Sequence, residues 1–243
     1  MLKAFRADLH IHTCLSPCGE LEMSPLGIAR KASEKNIDIL GICDHNSAEN
    51  VPALREAAEP FRINVLAGME ITSQEEVHIL GLFDSLEAAF DVQAVVYDHL
   101  PGENDEEAFG LQVVVNAEGE VLRFNPKLLI GASTLTLERI VELIHSFDGL
   151  AIASHIDREG FSLIGQLGFV PRNISIDALE VSPRTPLEEA RKKFNFGFPL
   201  TTSSDAHRLE EIGQATTSFL LEAGTAAEIR LALQKGKGRK ILN

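Results

Sequence analysis

The chain has 243 residues, a formal net charge of −14, and 44% apolar against 6% aromatic residues. That length suits one barrel-sized domain, and the composition suits a globular protein with an aliphatic core. The acidic balance argues against broad electrostatic attachment to nucleic acid or to an anionic membrane, and it is compatible with binding several cations. No apolar run is long enough to span a bilayer and the amino terminus lacks a signal-peptide core, so the expectation is a cytoplasmic protein with no membrane partner. Cys14, Cys18 and Cys43 are odd in number and do not look like a disulfide framework.

The chain opens on a strand in which Phe5, Ala7, Leu9 and Ile11 alternate with polar residues. On a strict period of two, Asp8, His10 and His12 share a face. Residues 14–19 read as a loop by their Pro and Gly. Ser24-Pro25 reads as an N-cap with proline at the first helical position, opening a helix to about Asn36. Residues 37–43 are a near-continuous apolar run, the pattern of a strand buried on both faces, ending in Asp44-His45-Asn46. A helix from Val51 to about Pro60 precedes the buried strand 63–67, which ends in Gly68-Met69-Glu70. Residues 77–82, with His78, form a further strand. This alternation predicts a parallel α/β sheet or barrel with its site at the carboxyl ends of the strands.

The middle departs from that pattern. Residues 86–99 predict a helix and 101–107 a solvated acidic loop, while 111–115 and 121–124 flank Asn116-Ala117-Glu118-Gly119 as a β-hairpin. About residues 98–132 therefore form an insertion placed to shape one wall of a cleft. The α/β pattern resumes with a helix over 136–146 and a strand over 150–154 that runs into His155. A short strand over 178–181 ends at Ser182-Pro183-Arg184, a helix follows over 186–194, and a strand over 199–203 leads into Ser204-Asp205-Ala206-His207. A helix over 226–234 closes the chain, and residues 235–240 read as a solvated basic tail. With no internal repeat and no low-complexity linker, residues 1–243 read as a single domain.

Six of the eight histidines (His10, His12, His45, His78, His155 and His207) fall at or just past strand ends, with Glu70 and Asp205 in equivalent places. Imidazoles two residues apart at the end of a strand can converge on one ion, and Asp205-Ala206-His207 repeats that spacing with a carboxylate and an imidazole. Mixed imidazole and carboxylate donors suit zinc, manganese or iron better than calcium or magnesium. Eight donors are too many for one ion, so two or three divalent ions are expected, with Glu70 able to bridge two. His145 suits the dipole near the end of its helix, and His99 in the insertion is left outside the site.

In chain order, Asp8-Leu9-His10-Ile11-His12-Thr13, Asp44-His45, Gly68-Met69-Glu70, His78, His155 and Asp205-Ala206-His207 resemble the motifs of the polymerase and histidinol phosphatase (PHP) family. The resemblance implies an α/β fold, a distorted (β/α)7 TIM-like barrel, here with an inserted β-hairpin, and a trinuclear metal centre. It implies that His10, His12, Glu70 and Asp205 hold one ion, that Glu70, His78 and His155 hold a second, and that His45 and His207 hold a third. The family usually supplies another ligand, often Asp or His, from the loop after the first strand. Here that loop reads Ser16-Pro17-Cys18-Gly19-Glu20; Cys18 is the best-placed substitute, with a buried inert cysteine and a ligating Glu20 as the alternatives. Asp44 is expected to orient a ligand histidine rather than to ligate.

Two or three divalent ions serve phosphate-ester hydrolysis by lowering the pKa of a bridging water and by clamping phosphoryl oxygens. No Ser/His/Asp or cysteine nucleophile motif competes, and no phosphate-cradling GxxxxGK loop is present. The expectation is a metal-dependent phosphoric ester hydrolase that attacks a small phosphorylated metabolite or nucleotide with metal-bound hydroxide. Asp44, Glu70, Asp205 and His207 are its candidate catalytic residues, and Arg184 and Arg158 its candidate cations for the substrate phosphate. An oligonucleotide exonuclease is an alternative that the acidic composition disfavours. An amidohydrolase usually bridges its metals with a lysine where this chain has Glu70, and a non-catalytic metal-binding PHP module often lacks ligands that this chain retains.

Overall fold

A computed structural model describes every residue from Met1 to Asn243. Its elements in chain order are β1 (Lys3–Ile11), α1 (Pro25–Glu34), β2 (Ile39–Ile42), α2 (Val51–Ala58), β3 (Asn64–Thr72), β4 (His78–Phe83), α3 (Leu86–Asp98) and α4 (Glu106–Phe109). They continue with β5 (Val113–Val115), β6 (Val121–Phe124), α5 (Leu137–Ser146), β7 (Leu150–Ala153), α6 (Leu163–Leu167), β8 (Ala178–Val181), α7 (Leu187–Lys193), β9 (Leu200–Thr202), β10 (Thr217–Leu221), α8 (Ala226–Leu233) and β11 (Lys240–Ile241). Local chemistry sets several boundaries as the sequence predicts. Ser24 Oγ accepts the Gly27 amide with Pro25 opening α1, and the Thr136 side chain caps α5 through the Arg139 amide.

Nine strands form one sheet in the order β11-β10-β1-β2-β3-β4-β7-β8-β9. The sheet curls until the chain just past β9 meets the end of β1, where Ile11 bridges Ala206 in parallel and the His12 amide donates to the Ala206 carbonyl at 3.0 Å. The result is an α/β, TIM-like barrel. Leu9, Ile39, Leu66, Leu80, Leu82 and Ile152 pack in its interior, with Ile229 and Leu233 of α8 joining that cluster. The opposite strand faces, including Leu40, Met69, Ile79 and Leu179, pack in a second cluster with Ile28, Leu54, Val92 and Ile144 of the surrounding helices. Each fully buried side chain of this size contributes roughly 1.5–3 kcal/mol relative to exposure.

Three expectations change. First, β4 is antiparallel to both β3 and β7, whereas β1, β2 and β3 are mutually parallel, as are β7, β8 and β9. His78, opposite Thr72, begins β4 and therefore lies beside the carboxyl end of β3. Second, Asp8 does not share a face with His10 and His12. Between Asp8 and Ile11 the register of β1 against β2 shifts by a residue, a bulge that breaks strict alternation and re-aims the side chains beyond it. Gly41 of β2 makes room there, since a Cβ would run into the Leu9 carbonyl. Third, residues 235–240 are not a free tail: Lys240–Ile241 adds β11 to β10, and Arg239 pairs with Glu222 at 2.7 Å and Glu228 at 2.9 Å. The sequence reading also omitted β10, α4 and α6, all short and without strong periodicity.

Strands β5 and β6 form the expected hairpin within the insertion. Two asparagines tie the insertion to the barrel. Asn46 donates to the Leu129 and Gly131 carbonyls, and Asn50 donates to Val113 O while accepting from Val115 N. No helix is long and apolar enough to cross a membrane.

Candidate metal centre

The carboxyl ends of the barrel strands bring six histidines and two carboxylates into one cluster. His10 and His12 come from the end of β1, His45 from the turn after β2, Glu70 from β3, His78 from the start of β4, His155 from the turn after β7, and Asp205 and His207 from the turn after β9. His155 and Asp205 occupy the left-handed region at φ 29° and 51°, a conformation that non-glycine residues hold only where the surroundings enforce it.

Glu70 is the hub. Its Oε1 lies 3.0 Å from His78 Nδ1, 3.3 Å from His155 Nε2 and 3.4 Å from His10 Nε2, while Oε2 lies 3.3 Å from His45 Nδ1 and 3.6 Å from His12 Nε2. Asp205 Oδ1 lies 3.3 Å from His10 Nε2 and 3.2 Å from His12 Nε2. Three overlapping donor sets result: His10, His12 and Asp205; His45, Glu70 and His78; and His12, Cys18, His45 and His207, each with its donor atoms within 4.8 Å of one another. Glu20 lies apart, paired with Arg208 at 2.9 Å. His99 is exposed and bonded to its own helix, and His145 pairs with Asp177, so neither belongs to the cluster.

The donor set fits divalent cations. His45 Nδ1, His78 Nδ1 and Glu70 Oε1 are buried without a hydrogen-bond partner, a costly state for polar atoms unless something positive completes it. Other ring nitrogens are committed. His10 Nδ1 donates to Glu180 Oε1 at 2.8 Å, and His12 Nδ1 donates to Ser16 Oγ at 2.9 Å, which itself donates to Asp44 Oδ1 at 2.7 Å. Those bonds place a proton on Nδ1 and turn both Nε2 atoms toward Asp205 and Glu70. Asp44 thus orients His12 through Ser16. The sequence reading missed Glu180 and Ser16; a lone carboxylate inside the apolar strand Ala178–Val181 was the available signal for Glu180.

The buried imidazoles and carboxylates also shift one another's titration. Burial pushes the Glu70 carboxyl up, but the His78 and His10 imidazoles outweigh it and hold Glu70 well below the usual carboxylate range. Burial alone would lower the pKa of His10, yet Asp205, Glu180 and Glu70 raise it well above the usual value. Burial and then His207 bring His12 down to about 4. Cys18, exposed at its surface, still has its thiol pushed up to about 12 by desolvation and then by Glu70.

The cluster floors a cleft of about 650 Å³ whose rim includes Arg158, Arg184, Phe161 and Ile130. Ile130 is the insertion's contribution to that wall. Arg158 Nη1 lies 2.6 Å from Asp205 Oδ2, so its charge is engaged with the cluster, whereas Arg184 is exposed with no ion pair. Asp157 accepts from Ser182 N, Ser182 Oγ and Thr185 Oγ1, fixing the loop that carries Arg184. A larger groove of about 1160 Å³ opens among residues that precede the strands, lined in part by Asp177, Phe198, Arg230 and Lys235, and it gathers no comparable donor set.

The same donors lie inside a recognised sequence family. Residues 8–168 match the PHP domain, and residues 190–237 match the segment described as PHP-associated. The chain belongs to the PHP domain family. Over 99% of its length this PHP chain is 26% identical to the uncharacterized protein YqxK of Bacillus subtilis, covering 65% of that protein. Over 31% of its length it is 30% identical to the 5'-3' exoribonuclease of Haemophilus influenzae, covering 27% of that protein. The crystal structure of the lesion-specific endonuclease PfuEndoQ from Pyrococcus furiosus superposes with a TM-score of 0.74 at 21% identity, over 98% of this chain and 58% of the endonuclease. The PHP chain therefore spans less than two thirds of each of these proteins.

Proposed function

We propose that this PHP chain is a metal-dependent phosphoesterase. The observation that carries the reading is the set of buried imidazole and carboxylate atoms around Glu70 that face one another without hydrogen-bond partners. His10, His12, Glu70 and Asp205 would hold one divalent ion, Glu70, His78 and His155 a second, and His45, His207 and Cys18 a third; zinc, manganese and iron suit these donors. Such ions supply hydroxide near neutral pH and stabilise charge developing on a phosphoryl group. Around them the chain's own residues have distinct tasks. Glu180 and the Ser16–Asp44 pair hold the protons on the Nδ1 atoms of His10 and His12. Arg184, positioned by Asp157, and Arg158 at the cleft rim would bind the substrate phosphate. Residues 1–243 are read as one PHP-type unit, which the sheet running from Lys3 to Ile241 supports.

A small phosphorylated metabolite or nucleotide is the favoured substrate, because a net charge of −14 disfavours extended contact with a nucleic-acid backbone. A nucleic-acid end is the second reading, favoured by the likeness to an exoribonuclease and a lesion-specific endonuclease. Phosphate release from a panel of phosphomonoesters, nucleotides and short oligonucleotides, with manganese- or zinc-loaded protein, tests both. Release that is lost in Glu70→Gln while that variant stays folded supports the reading. No release from fully loaded protein overturns it.

A further inference from the structure

At the mouth of the cleft, the loop after β7 holds one aromatic ring that neither the core nor the donor cluster explains. Phe161 is 46% exposed, although burying a phenylalanine is among the larger favourable terms available to a fold. Its ring stacks on the His78 imidazole, with centroids 4.8 Å apart and planes 22° from parallel. Its backbone sits at φ 56°, in the left-handed region, where a bulky side chain is a genuine outlier. The Phe161 carbonyl accepts the His78 amide at 2.9 Å, so the start of β4 pins the residue in that conformation. The ring is thus held at a conformational cost, backed by an imidazole and exposed on the cleft rim. Ile130, 38% exposed, adds a second apolar group to the same lining. Phe169 and Phe196 are also exposed but line no part of the cleft.

A cleft that combines Arg158 and Arg184 with an open aromatic face is complementary to a phosphate carried on a flat, apolar body. We propose that Phe161 is a stacking platform for a nucleobase, so that the substrate is a nucleoside phosphate, free or at the end of a strand, rather than a bare sugar phosphate. The inference rests on the phosphoesterase reading above. A base laid on Phe161 would extend the stack begun by His78, and aromatic stacking of this kind accepts any base because every base presents a π-face. It narrows recognition to the terminal unit, since a net charge of −14 disfavours extended contact with the backbone of a longer strand.

Calorimetric titration of manganese-loaded protein with adenosine 5′-monophosphate, ribose 5-phosphate and a 5′-phosphorylated dinucleotide tests the platform. The parent is expected to bind adenosine monophosphate about tenfold or more tighter than ribose 5-phosphate. That ratio is expected to fall to about one in Phe161→Ala and to persist in Phe161→Tyr. Phe161→Leu keeps apolar bulk over His78 without the π-face, and its ratio should fall as well, with metal content measured alongside. Tighter binding of the dinucleotide assigns a strand end, and equal binding assigns a free nucleotide. Equal affinities in the parent, or a preference that survives in both Phe161→Ala and Phe161→Leu, overturns the inference while leaving phosphate release intact. If no phosphorylated ligand binds to fully metallated protein, the phosphoesterase reading fails with it.

Discussion

Nδ1 of His10 lies 2.8 Å from Oε1 of Glu180, and both side chains are sealed from solvent. The carboxylate holds the imidazole in one tautomer and one orientation, with Nε2 turned toward Glu70 and Asp205. Glu180→Gln keeps the oxygen acceptor and removes the charge. Its affinity for zinc or manganese, measured by competition with a chelator, is expected to fall by roughly 10–100-fold. An unchanged affinity would mean that Glu180 serves packing alone.

Metal binding and stability should be linked, because the unfolded chain does not preform this donor set. Adding manganese or zinc to about 100 times its dissociation constant stabilises the folded state by about 2.7 kcal/mol. For a chain of this size that corresponds to a rise in melting temperature of roughly 5–10 °C, reversed by chelator. Calorimetry on the stripped and reloaded protein reads this directly. No shift on reloading would remove the case for the centre.

Cys18 groups with His12, His45 and His207, so a cation held there would carry a sulfur ligand. Cobalt-loaded protein is expected to show the near-ultraviolet absorption of sulfur-to-cobalt charge transfer. Cys18→Ser should abolish that band, while Cys18→Asp should lose the band and retain the metal. An identical spectrum in the parent and the serine variant would place Cys18 outside the centre.

Asp44 accepts three hydrogen bonds, from Thr13 N, Thr13 Oγ1 and Ser16 Oγ, all buried. Asp44→Ala strands those donors without water, and the expected destabilisation is about 3–5 kcal/mol, read as a lower urea midpoint with an unchanged slope. Asp44→Asn, which retains acceptor capacity, should cost less.

Asp8 supplies a pH-dependent term. Burial, opposed by hydrogen bonds from Ser204 and the Gly213 amide, raises its pKa from 3.8 to about 6. An acid whose folded pKa lies above its unfolded value stabilises the protein below the unfolded pKa, and that contribution is lost as pH rises through the folded pKa. The parent should therefore lose about 3 kcal/mol from this group between about pH 4 and pH 6. Urea melts of the parent and Asp8→Asn at several pH values should show a stability difference that moves in favour of the variant across that window. A difference independent of pH would contradict the buried, reluctant charge at Asp8.

Much of this protein is legible from residue type and spacing. The buried runs over residues 37–43 and 150–154 and the cap at Ser24 depend on near neighbours in the chain, and each appears where local patterning places it. The donor residues were also visible, because imidazoles and carboxylates ending apolar strands are a matter of composition and order. Sheet closure decided the rest. Antiparallel β4 sets His78 beside Glu70, and the bulge in β1 separates Asp8 from His10; both depend on which strand lies alongside, information that no window of sequence carries. The same holds for β10, whose Leu221 pairs with Lys3 at the far end of the chain, and for Lys240–Ile241, which ends the basic segment as β11 on its edge. Glu180 reads as an oddity in an apolar strand until the barrel brings it to His10, 170 residues away in sequence. Local patterns are set by the backbone's own periodicities and could be read in advance. Register, strand direction and the meeting of distant side chains arise from long-range pairing, and only the closed barrel determined them.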